Sequence, residues 1–189
     1  MRKASHAPTP SKYCNYFRKD TIAACCKSLS IFLLKMTKEE KYQSVLPRIR
    51  SLLSGEADMI ANMANMVAVL HETFGFWWTG FYRVVPNTDE PATAGELVLG
   101  PFQGPIACTR IPFNKGVCGT AWAQSKTIIV PDVHLFPGHI ACSSLSKSEI
   151  VVPFFSHGQV FAVLDIDSAE LNTFDAIDQE YLEQLATLL

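Results

Sequence analysis

Three cysteines, Cys108, Cys118 and Cys142, stand ten and twenty-four residues apart in a stretch, 97–153, that is otherwise crowded with glycine, proline and histidine. Each thiol has a backbone breaker nearby. Gly100-Pro101-Phe102-Gln103-Gly104 runs ahead of Ala107-Cys108, Gly116-Val117-Cys118-Gly119-Thr120 encloses the second thiol, and Pro137-Gly138-His139-Ile140-Ala141-Cys142 leads to the third. Such residues let the chain turn sharply and bring backbone N–H groups close to a ligand, which is how loops on a rigid scaffold build a small pocket. A core cysteine needs none of this context, so the three thiols are candidates for nucleophilic or redox chemistry. Cys118 falls in the first turn of a predicted helix, where the dipole lowers a thiol's pKa. His134, His139 and Cys142 share one loop and, with Cys118, could ligate a metal, but paired Cys-x-x-Cys knuckles are absent and no metal is expected.

Carboxylates accompany the thiols. Asp165 and Asp167 are two apart on a predicted strand and so face the same side, in a segment where Val163 and Ile166 flank them; Glu149 precedes the strand before it. Trp78 and Tyr82, four apart on an earlier strand, also share a face and could wall a pocket or simply fill a core.

The elements that must hold these residues begin with two helices. Tyr42, Val45, Leu46, Ile49, Leu52 and Leu53 predict a helix over 37–53 that Pro47 bends and Ser54-Gly55 ends. Met59, Met63, Met66, Val67 and Leu70 predict a second over 56–74, with acids in its first turn and a methionine stripe packed on a sheet. Strands are expected at 76–85, 97–99, 109–113, 127–130, 150–155 and 159–166, with a polar hairpin loop at 86–95, a short helix at 117–124 and a closing helix at 174–189 capped by Thr173 or Asp175. The long irregular loop 131–147 has the length of a lid or binding loop. Without regular strand–helix–strand alternation, the order predicts an α+β fold: an antiparallel sheet with the N- and C-terminal helices on one face and a loop-built pocket on the other.

At 189 residues with 48% hydrophobic content the chain can bury one ordinary core. Residues 1–36 read as a basic extension, since 1–35 carry seven Lys/Arg and one acid, and residues 37–189 as a single domain. The whole chain carries −2 and the extension +6, which leaves −8 on the body and argues against a nucleic-acid partner. No apolar run approaches the ~20 residues that span a bilayer, so no membrane passage is expected. With no recognisable secretory signal, the six cysteines are expected in a reducing compartment, Cys14, Cys25 and Cys26 being incidental. The location expected is cytoplasmic, or mitochondrial if the extension is a transit segment; a start at Met36 is an equal alternative.

The motifs quoted above, with Leu99 ahead of the first, Lys115 ahead of the second, Asp132-Val133 and Ser148-Glu149-Ile150-Val151-Val152-Pro153, resemble the free methionine-(R)-sulfoxide reductases, which are built on a GAF domain. The resemblance spans 37–189. It implies that Cys142 attacks the sulfoxide, that Cys108 resolves the resulting sulfenic acid, and that Glu149, Asp165 and Asp167 hold the sulfoxide end or the substrate ammonium, with Glu149 and Asp167 also serving catalysis. Apart from the resemblance, Trp78 and Tyr82, if they wall the pocket rather than fill a core, could hold the methyl-sulfur end. The resemblance further implies free methionine sulfoxide as substrate, no bound cofactor, and an external dithiol reductant of the thioredoxin type; a second copy of the chain is a candidate partner in a homodimer. The chemistry agrees, since sulfoxide reduction needs a thiolate, an acid near the oxygen and a second thiol. Local physics favours Cys118 as nucleophile, so Cys118 stays as the alternative to Cys142. The competing function is a non-catalytic GAF sensor that binds a small ligand.

Overall fold

In the computed structural model the described residues are 36–87, 95–140 and 143–189. The expectations for the extension 1–35, for most of the loop 86–95 and for Cys142 fall outside them. Helix α1 (Lys38–Leu53) starts at a capping box, in which the Thr37 hydroxyl accepts from the Glu40 N–H and the Glu40 carboxylate accepts from the Thr37 N–H. Tyr42, Val45, Ile49 and Leu53 form its buried stripe. Helix α2 (Met59–Phe74) is capped by Asp58, which stands before the first turn rather than inside it as expected, and Gly75 in the left-handed region stops it. Met63 and Met66 are buried as the stripe requires, whereas Met59 at the open end is exposed.

Six strands follow: β1 (Trp78–Val85), β2 (Glu96–Gln103), β3 (Arg110–Pro112), β4 (Ile128–Val130), β5 (Ser148–Ser156) and β6 (Gln159–Ser168). Helix α3 (Gly116–Gln124) lies between β3 and β4, a single 3-10 turn (Val133–Leu135) between β4 and β5, and helix α4 (Ala176–Ala186) closes the chain behind an Asp175 capping box. Every strand pair is antiparallel, in the order β3-β2-β1-β6-β5-β4. The α+β architecture expected from the element order is the one observed.

Two short pieces differ from expectation. Gly100-Pro101-Phe102-Gln103 is not a turn but the second half of β2. Gly80 pairs with Phe102 and Tyr82 with Leu99, so that Gly100 and Pro101 together face Phe81 in a β-bulge, the setting in which a strand tolerates proline. Strands β5 and β6 are each longer at the site end than the apolar pattern suggested, because Ser148, Glu149, Asp167 and Ser168 continue the ladder.

The sheet separates two apolar clusters. On one face Phe81, Ile150, Val152, Phe154, Ala162, Leu164 and Ile166 pack against α1, α2 and α4. On the other, Trp78, Tyr82, Leu97, Val151 and Val163 meet α3 through Val117, Cys118, Ala121 and Trp122. Lys38 ties the first helix to the last: its ammonium pairs with Asp175 at 2.7 Å and with the buried Asp178, which also accepts from the Tyr42 hydroxyl at 2.9 Å.

Candidate active site

Antiparallel register builds the floor of the site. Glu149 of β5 stands opposite Asp167 of β6, and Val151 opposite Asp165, so the three carboxylates meet on one face at the β5–β6 seam. On the other side of β6, Trp78 stands opposite Asp167 and Tyr82 opposite Val163, which brings an aromatic wall beside the acids. Helix α3 supplies the roof: a Cβ on Gly119 would come within 2.6 Å of the Pro112 carbonyl, so only glycine lets the helix lie this close to β3 and set Cys118, its third residue, above the carboxylates. Trp78, Tyr82, Cys118, Glu149, Asp165 and Asp167 line one pocket of about 530 Å³, counting its open mouth.

The aromatic residues also hold the loops. Tyr82 Oη donates to the Cys108 carbonyl at 3.0 Å, Trp78 Nε1 to the Pro105 carbonyl at 3.1 Å, and Trp77 Nε1 to Ser143 Oγ at 3.3 Å. Strand β1 thereby fixes the loop carrying Cys108, and the residue just before it, Trp77, reaches the loop ahead of β5. Trp78 stacks with Tyr82 and with Phe102, with ring centroids 5.9 and 5.5 Å away. Cys108 is disulfide-bonded, and Cys118 is a free, buried thiol.

Burial dominates the electrostatics. Glu149 is pushed well above the usual carboxylate range by burial and then by the charges of Asp165 and Asp167; Asp165 likewise, by burial and Asp167. Asp167 rises to about 6, mainly through burial, against a hydrogen bond with Ser146. Among the described residues no lysine or arginine pairs with these acids; the nearest basic group is His139, whose Nε2 stands 3.6 Å from Glu149 Oε2. Burial pushes the His139 pKa down, so it brings little positive charge at neutral pH.

Cys118 departs from expectation. Its thiol is raised well above its ordinary value by burial and by Asp165 and Glu149, with Sγ 4.0 Å from Glu149 Oε1. A helix dipole of about half a charge does not offset a buried position facing carboxylates. The metal set weighed from the sequence is also not assembled among the described residues, since His134 is exposed and does not line the pocket. Cys118, Glu149 and Asp165 instead bring one donor atom each to within 4.8 Å of one another. Two lining residues lacked a sequence signal for their place here: Ser146, buried in a serine-rich loop, and His139 as a neighbour of Glu149.

Comparison with known proteins places this geometry. Residues 57–189 match the family described as GAF domain. The chain is 59% identical to GAF domain-containing protein A of Dictyostelium discoideum over 82% of its own length and 94% of the other. It is 42% identical to the free methionine-R-sulfoxide reductase of Saccharomyces cerevisiae, covering 82% of this chain and 86% of that one. The crystal structure of free methionine-R-sulfoxide reductase from Neisseria meningitidis in complex with its substrate superposes with a TM-score of 0.76 at 54% identity, over 81% of this chain and 88% of that one.

Proposed function

The chain belongs to the free methionine-R-sulfoxide reductases built on a GAF domain, and we propose that it reduces free L-methionine (R)-S-oxide with Cys142 as nucleophile and Cys108 as resolving thiol. The observation that carries this reading is the group of acids Glu149, Asp165 and Asp167 beside the Trp78–Tyr82 wall, in a pocket rimmed by the Cys108 loop.

A sulfoxide is a polar S–O group carrying an apolar methyl. The methyl fits the faces of Trp78 and Tyr82, and the oxygen needs a proton donor as its bond to sulfur breaks. Burial raises the pKa of both Glu149 and Asp165, with the charges of Asp165 and Asp167 adding to the first and that of Asp167 to the second, which suits them to donate to that oxygen. Asp167, at about 6, is ionised at neutral pH and suits the substrate ammonium. The burial order thus exchanges the two aspartates relative to the sequence reading, which had Asp167 serve turnover.

The Cys142 thiolate bonds to the sulfoxide sulfur, the oxygen passes to the cysteine as the S–O bond to methionine breaks, and methionine leaves with Cys142 as a sulfenic acid. Cys108 then attacks that sulfur, a water leaves, and a disulfide joins the two cysteines. An external dithiol of the thioredoxin type reduces the disulfide and is oxidised in turn, so the balance is one sulfoxide and one dithiol converted to one thioether, one disulfide and one water. Two states support this division of labour: Cys108 is disulfide-bonded, and Cys118 is free with a thiol held in its neutral form. The location proposed remains the cytoplasm, with a mitochondrial location if residues 1–35 are a transit segment.

Single-turnover kinetics test the assignment. Cys142→Ser should release no methionine, Cys108→Ser about one equivalent before stalling, and Cys118→Ser should keep multiple turnover in part. A burst lost in Cys118→Ser but kept in Cys142→Ser would reverse the roles. Absence of turnover on either free epimer with dithiothreitol would leave the ligand sensor as the better reading, and equal activity on a sulfoxide-containing peptide would refute the preference for the free amino acid.

A further inference from the structure

We propose that Cys118, Glu149 and Asp165 form a binding site for one zinc-type divalent cation, with His139 as a fourth ligand, and that the bound cation competes with the organic substrate. A thiol, two carboxylates and an imidazole make a mixed set of the kind that zinc accepts, and the four come from α3, β5, β6 and the loop ahead of β5.

The geometry is close to what a tetrahedral ion needs. Ligand bonds of about 2.3 Å to sulfur and 2.0–2.2 Å to oxygen place donors roughly 3.5 Å apart. Cys118 Sγ lies 4.0 Å from Glu149 Oε1, and the three donors lie within 4.8 Å of one another. His139 Nε2 is 3.6 Å from the other Glu149 oxygen. Side-chain movements on the order of 1 Å bring the three donors to that spacing, and His139 joins them by a larger turn of its imidazole.

A second feature points to a ligand rather than to a mere acidic cluster. Asp165 is 7% exposed, lines the pocket, and its Oδ1 has no hydrogen-bond partner, a state that costs free energy in a buried group. Three acidic groups converge where, among the described residues, no lysine or arginine forms an ion pair with them, so a cation would balance their charge. Cys118 is free while Cys108 is disulfide-bonded, so disulfide formation at Cys108 does not consume a ligand of the site.

The test uses Co²⁺ on the full chain, in both the reduced and the oxidised protein, followed by displacement with Zn²⁺. One equivalent with thiolate-to-cobalt absorption is expected in both redox states, unchanged when Cys14, Cys25 and Cys26 are replaced by serine. Cys118→Ser should abolish the thiolate band, and Asp165→Asn should weaken binding by at least ~100-fold, since loss of an outer-shell partner alone costs about 10–100-fold. His139→Gln, which leaves the sheet untouched, should weaken it by roughly tenfold or more. Binding only in the reduced state, or a band that survives Cys118→Ser, would overturn the site. Competition with methionine sulfoxide rests on the proposed function: cobalt bound as expected in a protein without turnover would sink that function and leave the metal site standing, whereas turnover unaffected by bound Zn²⁺ would sink the competition.

Discussion

Gly80→Ala is expected to damage both stability and substrate binding, for a reason visible in two distances. A Cβ at Gly80 would lie 2.4 Å from Trp78 Cη2 and 2.5 Å from Phe102 Cβ, far inside normal contact. The bulge in β2 creates the second clash, because it draws Phe102 in beside Gly80, and the Phe102 Cβ cannot yield without its backbone. The Trp78 ring could swing away, but only by straining its 3.1 Å hydrogen bond with the Pro105 carbonyl and disturbing its stacking with Tyr82. Overpacking costs about 1–3 kcal/mol, and with one clash against fixed backbone the upper end, about 3 kcal/mol, is expected. At about 2–4 °C per kcal/mol this is a fall in melting temperature of roughly 6–12 °C. Urea unfolding measures the first effect and the KM for methionine sulfoxide the second, which should rise as the wall shifts. Adding Trp78→Leu removes one of the two clashes, so the double variant should be less destabilised than the sum of the singles, by about 1 kcal/mol. Gly80→Ala within ~0.5 kcal/mol of the parent, with unchanged KM, would refute the close-approach reasoning.

Asp167 makes stability depend on pH. Its folded-state value of about 6 exceeds the ordinary 3.8, so the folded state holds the extra proton between these values and stability should fall by up to ~3 kcal/mol as pH rises from about 4 to about 6; urea unfolding across that range should show a shallower fall in Asp167→Asn, and equal slopes would count against it. Asp165→Asn keeps a proton-bearing group but one that cannot give the proton up, so turnover should drop ~10²–10⁴-fold with KM changed far less, and a pure KM effect would return Asp165 to substrate binding. Lys38→Met strands the buried Asp178 carboxylate and should cost about 3 kcal/mol, read as a drop in melting temperature; a neutral result would show that the Tyr42 hydroxyl and the helix N-terminus suffice.

Residue pattern disclosed the architecture because each layer uses a simple period. The 3.6-residue stripe of α1 and the aromatic and β-branched runs of β1, β5 and β6 state which face is buried, and of the two caps open to the closing helix, Thr173 and Asp175, the structure uses Asp175. Gly100 and Pro101 misled, since residues that usually end a strand here occupy a bulge inside one, a choice made by the β1 partner rather than by local preference. The carboxylates of the site were readable as a pair on β6 and a neighbour on β5, but their protonation was not. Whether Asp165 or Asp167 lies deeper depends on what α3 and the 131–147 loop cover. The same holds for Cys118: first-turn position is a local property, whereas being roofed over carboxylates is a tertiary one that reverses its sign.

The two-sided sheet has a consequence for how the protein tolerates change. Along β5 and β6, Ile150, Val152, Phe154, Ala162, Leu164 and Ile166 face α1, α2 and α4, while on the other side Glu149, Asp165 and Asp167 line the pocket and Val151 and Val163 join the cluster under α3. Neighbouring codons therefore answer to different selective pressures. A substitution at one of the even-numbered positions is judged by whether the protein folds, and one at Glu149, Asp165 or Asp167 by what the folded protein does. A single ribbon of chain therefore carries two interleaved sets of requirements.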